Sequence, residues 1–203
     1  AVANLKFPLI VKPNFEGSSI GVSQDSVVED KAALETLVNL LLEKFPSGLI
    51  VEQFIAGKDV TVPFLGEVLE PCEYTFPEGR RYDFEIKHAA SDQVGVIVPA
   101  HLDKELRAHL VDYTQRTVRA TGLRDFGRVD FRISDAGKPY VIEVNALPNI
   151  RAGSSMYLAA QYSWSKKKLS GDELQAAVLG KVLDLACKRA GLKGKPSRVK
   201  RAI

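Results

Sequence analysis

The chain has 203 residues, 28 of them Lys or Arg and 25 Asp or Glu, for a formal charge of +3. With 45 % apolar and 26 % charged residues it has the composition of an ordinary globular protein, enough to bury about 70 % of its unfolded surface, which excludes wholesale disorder. No run reaches about 18 uncharged apolar residues and the opening stretch lacks a basic start followed by an apolar core, so neither a membrane span nor a signal peptide is expected.

The charge is unevenly placed. Lys188, Arg189, Lys193, Lys195, Arg198, Lys200 and Arg201 crowd the last stretch without an acidic residue. Taking those 7 from 28 leaves 21 basic against 25 acidic residues, a net of −4 for the rest. An acidic body argues against nucleic-acid binding by the whole chain. The basic end reads as a solvated terminus, with contact to RNA or an acidic surface as the alternative. Cys72 and Cys187 fit neither a metal spacing nor a disulfide framework. They read as small buried hydrophobes in a reducing, cytoplasmic compartment.

In chain order, Pro8–Lys12 is a short apolar run and predicts a strand. Asn14–Ser19 is a polar loop, and Ile20–Ser23 is expected to return as a strand. Leu34, Leu37, Val38, Leu41, Leu42 and Phe45 recur at helical spacing, so a helix is expected over Glu29–Phe45, stopped by Pro46-Ser47-Gly48. Leu49–Phe54 and Val60–Leu65 read as strands around Ala56-Gly57-Lys58. Pro71–Asp92 reads as a long charged loop, and Val94–Val98 as a strand. Asp103 is placed to cap a helix that ends at Gly122. Phe126–Ile133 and Pro139–Val144 predict two strands joined by Asp135-Ala136-Gly137-Lys138. Asn145–Lys168 reads as irregular, and Gly171-Asp172 opens a last helix to about Ala190. Strands and helices mix with hairpins, which predicts an α+β architecture.

The stretch Gly127–Pro148 is the most informative. With Ala136-Gly137 at the centre of the turn, Asp130 faces Glu143 and Arg128 faces Asn145. Side chains alternate along a strand, so these four share one face and Val129, Phe131, Ile142 and Val144 the other. Opposed carboxylates repel unless a cation lies between them. Carboxylate and amide oxygens suit a hard cation such as Mg²⁺ or Mn²⁺. A solvated sheet face is the bland alternative, but it would more often mix Lys with Glu.

Lys12 closes the first strand and Pro13-Asn14-Phe15-Glu16-Gly17-Ser18-Ser19 follows. Backbone N–H groups and two hydroxyls there suit phosphate oxygens, with Lys12 as a point charge. It is neither a Walker loop nor a dinucleotide fingerprint, and an ordinary turn reads the same way. Glu52 and Asp59 flank Phe54 and Ile55, which suits an adenine slot beside a carboxylate for ribose hydroxyls; a plain strand edge reads alike. Tyr82, Lys87 and His88 fall in the charged region. No Ser/His/Asp or Cys/His signature supports a hydrolase.

Together these segments resemble the ATP-grasp ligases, and most closely the D-alanine–D-alanine ligase family. The matching stretches are Phe7-Pro-Leu-Ile-Val-Lys-Pro13, Glu16-Gly-Ser-Ser-Ile-Gly21, Val51-Glu-Gln-Phe54, Tyr82-Asp-Phe-Glu-Ile-Lys87, Gly127-Arg-Val-Asp-Phe131 and Glu143-Val-Asn-Ala-Leu-Pro148, in family order. The resemblance implies an ATP-grasp fold. Residues 1–48 would form part of a small subdomain and 49–190 a large one, with a basic tail over 191–203. It implies that Lys12 and Lys87 hold ATP phosphates and that Glu16, Gly17, Ser18 and Ser19 form the phosphate loop. Ser18, Lys87 and Arg128 would act on the transferring phosphoryl and acyl groups. Glu52, Phe54, Ile55, Phe131 and Ile142 would line the adenine slot, Asp59 would bind ribose, and Asp130, Glu143 and Asn145 would hold Mg²⁺. Tyr82, His88, Asn149, Ser154 and Ser155 would shape the amino-acid sites, with Ser154 at the acceptor carboxylate.

The implied activity is amide formation through an acyl phosphate, as in D-alanyl-D-alanine synthesis for peptidoglycan. An ATP-grasp ligase for other carboxylates and amines, and a nucleotide-binding fragment, are the alternatives. Asn149 stands where the family commonly has Gly and Ser155 where it commonly has an apolar residue, which leaves the acceptor open; His88 stands where dipeptide-forming members usually have Tyr, which keeps an ester product open. The family's amino-terminal domain has no counterpart here, so a fragment or one piece of a larger protein is expected. Small amino-acid substrates are the expected partners, with a homodimer allowed.

Overall fold

A computed structural model of the chain describes residues 4–77 and 94–192. Tyr82, Lys87, His88 and the tail beyond Leu192 lie outside the described residues. The chain divides into two compact units, one of residues 1–56 with 75–95, the other of 57–74 with 96–203.

In the first unit, alternation of apolar residues builds β1 (Leu9–Pro13), with Leu9 and Val11 buried. It lies between β2 (Val27–Val28) and β3 (Leu49–Gln53), antiparallel to both. Helix α1 (Lys31–Lys44) starts where Asp30 Oδ1 accepts a hydrogen bond from Ala33 N at 2.9 Å. It lays Leu34 and Leu41 on Leu9, Val11 and Val28.

Two expectations are corrected here. Ile20–Ser23 forms no strand: Ser18, Ser19 and Gly21 adopt left-handed backbone, with φ of 57°, 60° and 75°, so the chain coils. A Cβ at Gly21 would meet Pro13 Cγ at 2.5 Å, which is why glycine serves there. The strand that returns to β1 is the short β2, reached through a 3₁₀ turn at Gln24–Ser26. The boundary expected after residue 48 also moves, because β3 pairs with β1 along its length and ties residues up to Ala56 to the first unit.

The second unit is built on a five-stranded sheet in the order β6-β5-β4-β7-β8. Its strands are β4 (Gly57–Leu65), β5 (Cys72–Thr75), β6 (Gly95–Ile97), β7 (Phe126–Ser134) and β8 (Pro139–Asn145). Val60, Val62, Val129, Phe131 and Ile133 point to one face and pack with Leu110 of α2 (Lys104–Thr121). That helix has the expected ends: Asp103 Oδ1 accepts from Leu106 N at 2.7 Å, and Gly122 closes it at φ 66°. Near Leu65, Leu69 and Cys72 a second core forms under α3 (Ser155–Ser163) and α4 (Gly171–Arg189).

Strand β5 replaces part of the expected long loop, and α3 replaces part of the expected irregular stretch. Helix α3 shows no polar stripe because Ser155, Met156, Tyr157, Ala159 and Ala160 are all buried, so it lacks the one-sided pattern by which a surface helix is recognised.

The hairpin β7–β8 differs from expectation at its tip. Ser134 N donates to Lys138 O and Gly137 N to Ser134 O, so three residues, Asp135-Ala136-Gly137, form the loop, with Gly137 at φ 77°. Phe131 therefore pairs with Val141 rather than Ile142. The register shifts by one residue between Asp130 and Phe131, with Ile142 as the extra residue of a β-bulge. Beyond the bulge Asp130 faces Glu143 and Arg128 faces Asn145, as the sequence predicts.

Candidate active site

The site face of the second unit is assembled by alternation on three strands. Arg128, Asp130 and Arg132 project from β7, Asp59 and Thr61 from β4, and Glu143 and Asn145 from β8. Arg128 Nε donates to both oxygens of Asp130 at 3.0 and 3.1 Å, and its other terminus lies 3.8 Å from Glu143 Oε1. Thr61 Oγ1 donates to Asp130 Oδ1 at 2.5 Å. The guanidinium is 13 % exposed. Burial works against its charge, but the carboxylates of Asp130 and Glu143 prevail and hold it above its usual range.

Two carboxylates opposed across a strand pair, with an amide two residues farther along, supply hard oxygen donors that suit Mg²⁺ or Mn²⁺. Among the described residues no cluster of three His, Cys, Asp or Glu stands ready for a metal, and the Asn145 amide would be the third donor beside Asp130 and Glu143. Its Oδ1 accepts from Leu147 N at 3.0 Å, which orients the side chain through a local turn. The donor set fits the group that the sequence implies.

The residues expected at the acceptor follow directly. Asn149 Oδ1 accepts from Arg151 N at 3.0 Å and shapes the turn before α3. Ser154 caps α3, its Oγ accepting from Tyr157 N at 3.3 Å. Ser155 is 4 % exposed, with its Oγ taken by the Tyr74 hydroxyl at 3.1 Å. It supports the helix start from behind, and its hydroxyl is not presented on an open surface.

In the first unit, Ile10 pairs with Glu52 and Lys12 with Ile50, so Lys12 and Glu52 share the sheet face opposite α1 and form an ion pair. Phe54 N donates to Pro8 O. Glu16, Gly17 and Ser18 are exposed, and the loop turns through bonds from Ile20 N to Gly17 O and from Val22 N to Ser19 O.

Two further placements depart from expectation. Phe131 is 1 % exposed and sits in the core against Leu110, on the face opposite Asp130, so it lines no slot on the site face. Asp59 forms an ion pair with Arg132 at 2.6 Å. Burial pushes its carboxyl up from the ordinary value even against that guanidinium, so Asp59 is engaged within the sheet rather than offered to a ribose. Ile142 is 49 % exposed at the bulge, open to a ligand. The sequence reading missed Thr61, Tyr74 and Arg132. Thr61 was within reach of pattern reasoning, since it alternates with Asp59; the pairing of β4 with β7 that brings it to Asp130 has no local signal.

Comparison with known proteins adds to this geometry. A family model described as D-ala D-ala ligase C-terminus matches residues 1–170. A D-alanine–D-alanine ligase of Actinobacillus succinogenes is 34 % identical over 178 residues, covering 87 % of this chain and 56 % of its own. An uncharacterized protein of Sinorhizobium fredii is 30 % identical over 192 residues, 92 % of this chain and 54 % of its own. The chain spans about half the length of the curated relatives it matches. Among solved structures, a D-Ala:D-Ser ligase from Enterococcus faecalis aligns with a TM-score of 0.67 at 25 % identity, over 89 % of this chain and 51 % of that one. A Bacillus anthracis D-alanine–D-alanine ligase complexed with ATP aligns in fold with a TM-score of 0.66 at 24 % identity, over 93 % and 57 %.

Proposed function

Because this chain belongs to the D-ala D-ala ligase C-terminus family, we propose that it carries the nucleotide- and acceptor-handling part of an ATP-dependent carboxylate–amine ligase. The substrates we assign are D-alanine as donor and a second D-alanine as acceptor, in the cytoplasm. One observation carries the reading: a largely covered arginine facing two opposed carboxylates, on a hairpin whose sequence matches this family.

The donor carboxylate attacks the γ-phosphorus of ATP, ADP leaves, and an acyl phosphate forms. The acceptor amine then attacks the acyl carbon, phosphate leaves and the amine gives up a proton, yielding the amide. Lys12 supplies positive charge to phosphate oxygens, and the Glu16–Ser19 loop supplies backbone N–H groups and hydroxyls. Arg128 faces charge that grows on the acyl oxygens, and its burial strengthens that interaction. Asp130, Glu143 and Asn145 would hold Mg²⁺, which supplies charge neutralisation of the phosphates when bound. Ser154 and the start of α3 receive the acceptor carboxylate.

Phosphate release tests this. The full-length protein given ATP, Mg²⁺ and D-alanine is expected to release phosphate and form the dipeptide, while omission of D-alanine stops release. Phosphate release with another amine acceptor but none with D-alanine would overturn the substrate assignment. The likeness to the D-Ala:D-Ser ligase favours D-serine as the second acceptor to try.

A further inference from the structure

Tyr74 lies on β5, half-buried, and the roles above leave it out. It pairs with Asp59 across β4, on the face that carries Thr61 and Asp130. Its hydroxyl donates to Ser155 Oγ at 3.1 Å. Ser155 is the first residue of α3 and the neighbour of the capping Ser154. Through β4 Tyr74 stands in line with Arg132 of β7, since Asp59 pairs with both. Burial comes first in pushing its phenol above the ordinary value, so the hydroxyl keeps its proton and remains a donor.

One side chain on the site face of the sheet is thus bonded to the start of the helix. We infer that Tyr74 is a positioning residue that sets the place of the α3 start relative to Arg128, and through it the acceptor amino acid relative to the reacting acyl group. This rests on the ligase reading above. Two groups meant to meet in one transition state gain most from being held at fixed separation. Arg128 is fixed by Asp130 on a central strand. The start of α3 follows a turn-rich segment; Met156 and Tyr157 pack into the core with Leu65 and Cys72, and two polar contacts at Ser155 join it to β5: the Tyr74 hydroxyl on Oγ, and the Cys72 thiol donating to the carbonyl at 3.5 Å. The thiol contact is weak and holds backbone only. The Tyr74 bond is therefore the stronger of the two, and its loss leaves a buried Ser155 hydroxyl without that donor.

The test is the kinetics of Tyr74→Phe in the full-length protein. We expect kcat/KM for the acceptor to fall about tenfold, with the KM for ATP and the melting temperature nearly unchanged. Ser155→Ala is expected to give the same loss, and the double variant no more than either single one, because the two side chains act as a unit. Ser155→Thr, which keeps a hydroxyl, should recover most of the activity. Additive losses, or a loss shared equally with the KM for ATP, would mark Tyr74 as general packing and overturn the inference. So would an active Tyr74→Phe with an unaltered acceptor KM. A wild-type protein that releases no phosphate with any amino-acid pair would instead sink the ligase reading, and this inference with it.

Discussion

Arg128 and Asp130 sit two residues apart on one strand, and each is the reason the other is tolerated. An arginine this buried needs anions, and the opposed carboxylates need a cation. Asp130→Asn removes the closest anion. It is expected to weaken Mg·ATP binding by about tenfold or more and to lower stability by about 1–3 kcal/mol, since a buried guanidinium is left less compensated. Glu143→Gln, on a 58 % exposed side chain, is expected to weaken Mg·ATP binding with little effect on stability. Calorimetric titration beside thermal melts separates the two, and unchanged nucleotide affinity in both variants would sink the metal assignment. A second prediction concerns the thiols. Burial, then the charge of Glu70, pushes Cys72 up to about 12, whereas Cys187 is half-buried. A thiol reagent at pH 8 should titrate Cys187 alone in the native protein and both thiols in denaturant. With the folded value raised, the contribution of the protonated Cys72 thiol is complete below pH 9 and declines as pH rises toward 12. Cys72→Ala should flatten that part of the alkaline stability profile.

At the scale of elements, the hairpin shows what local pattern carries and what it does not. Asp130, Glu143, Arg128 and Asn145 were legible as one face because two strands and a Gly-containing turn lie within one short stretch. The tip was misread because a three-residue loop and a two-residue loop share the same turn residues; only the bulge at Ile142 reconciles the longer loop with the site register. Helix α3 was missed because nearly every side of it is buried, and β5 because four residues with a charge among them carry little pattern. The Asp59–Arg132 pair and the Thr61–Asp130 bond join strands about 70 residues apart, a separation that no local period encodes. Two glycines at one end of this sheet make contrasting predictions. A Cβ at Gly57, where φ is 135°, would stand 1.9 Å from Ile133 O, so Gly57→Ala should cost several kcal/mol. At Gly137, φ is 77° but the surrounding space is open, so Gly137→Ala should cost only about 1 kcal/mol. Chemical denaturation of the two variants checks the contrast.

For the whole molecule, the two units hold different parts of the proposed chemistry: Lys12, Glu52 and the serine loop in the first, the carboxylates and Arg128 in the second. The described part of the basic end belongs to the second unit. Arg189, in the last turn of α4, makes a bidentate pair with Asp125 at 2.7 and 2.9 Å and ties that helix to the turn before β7. Arg189→Ala is therefore expected to lower the melting temperature, while truncation after Leu192 should leave both the melting temperature and ATP affinity unchanged. A large loss of nucleotide binding on truncation would show that the tail belongs to the site. The bulge at Ile142 has a consequence at this scale too. Among the described residues β8 ends the sheet, and its Val141 and Ile142 are each 49 % exposed, the makings of a sticky rim on which another molecule's strand would stack. An extra residue in the middle of that rim breaks the regular spacing of its N–H and C=O groups. A foreign strand can find matching hydrogen bonds on one side of the bulge or the other, but not along the full length. The same irregularity that keeps the carboxylates in register therefore also guards the molecule against aggregation.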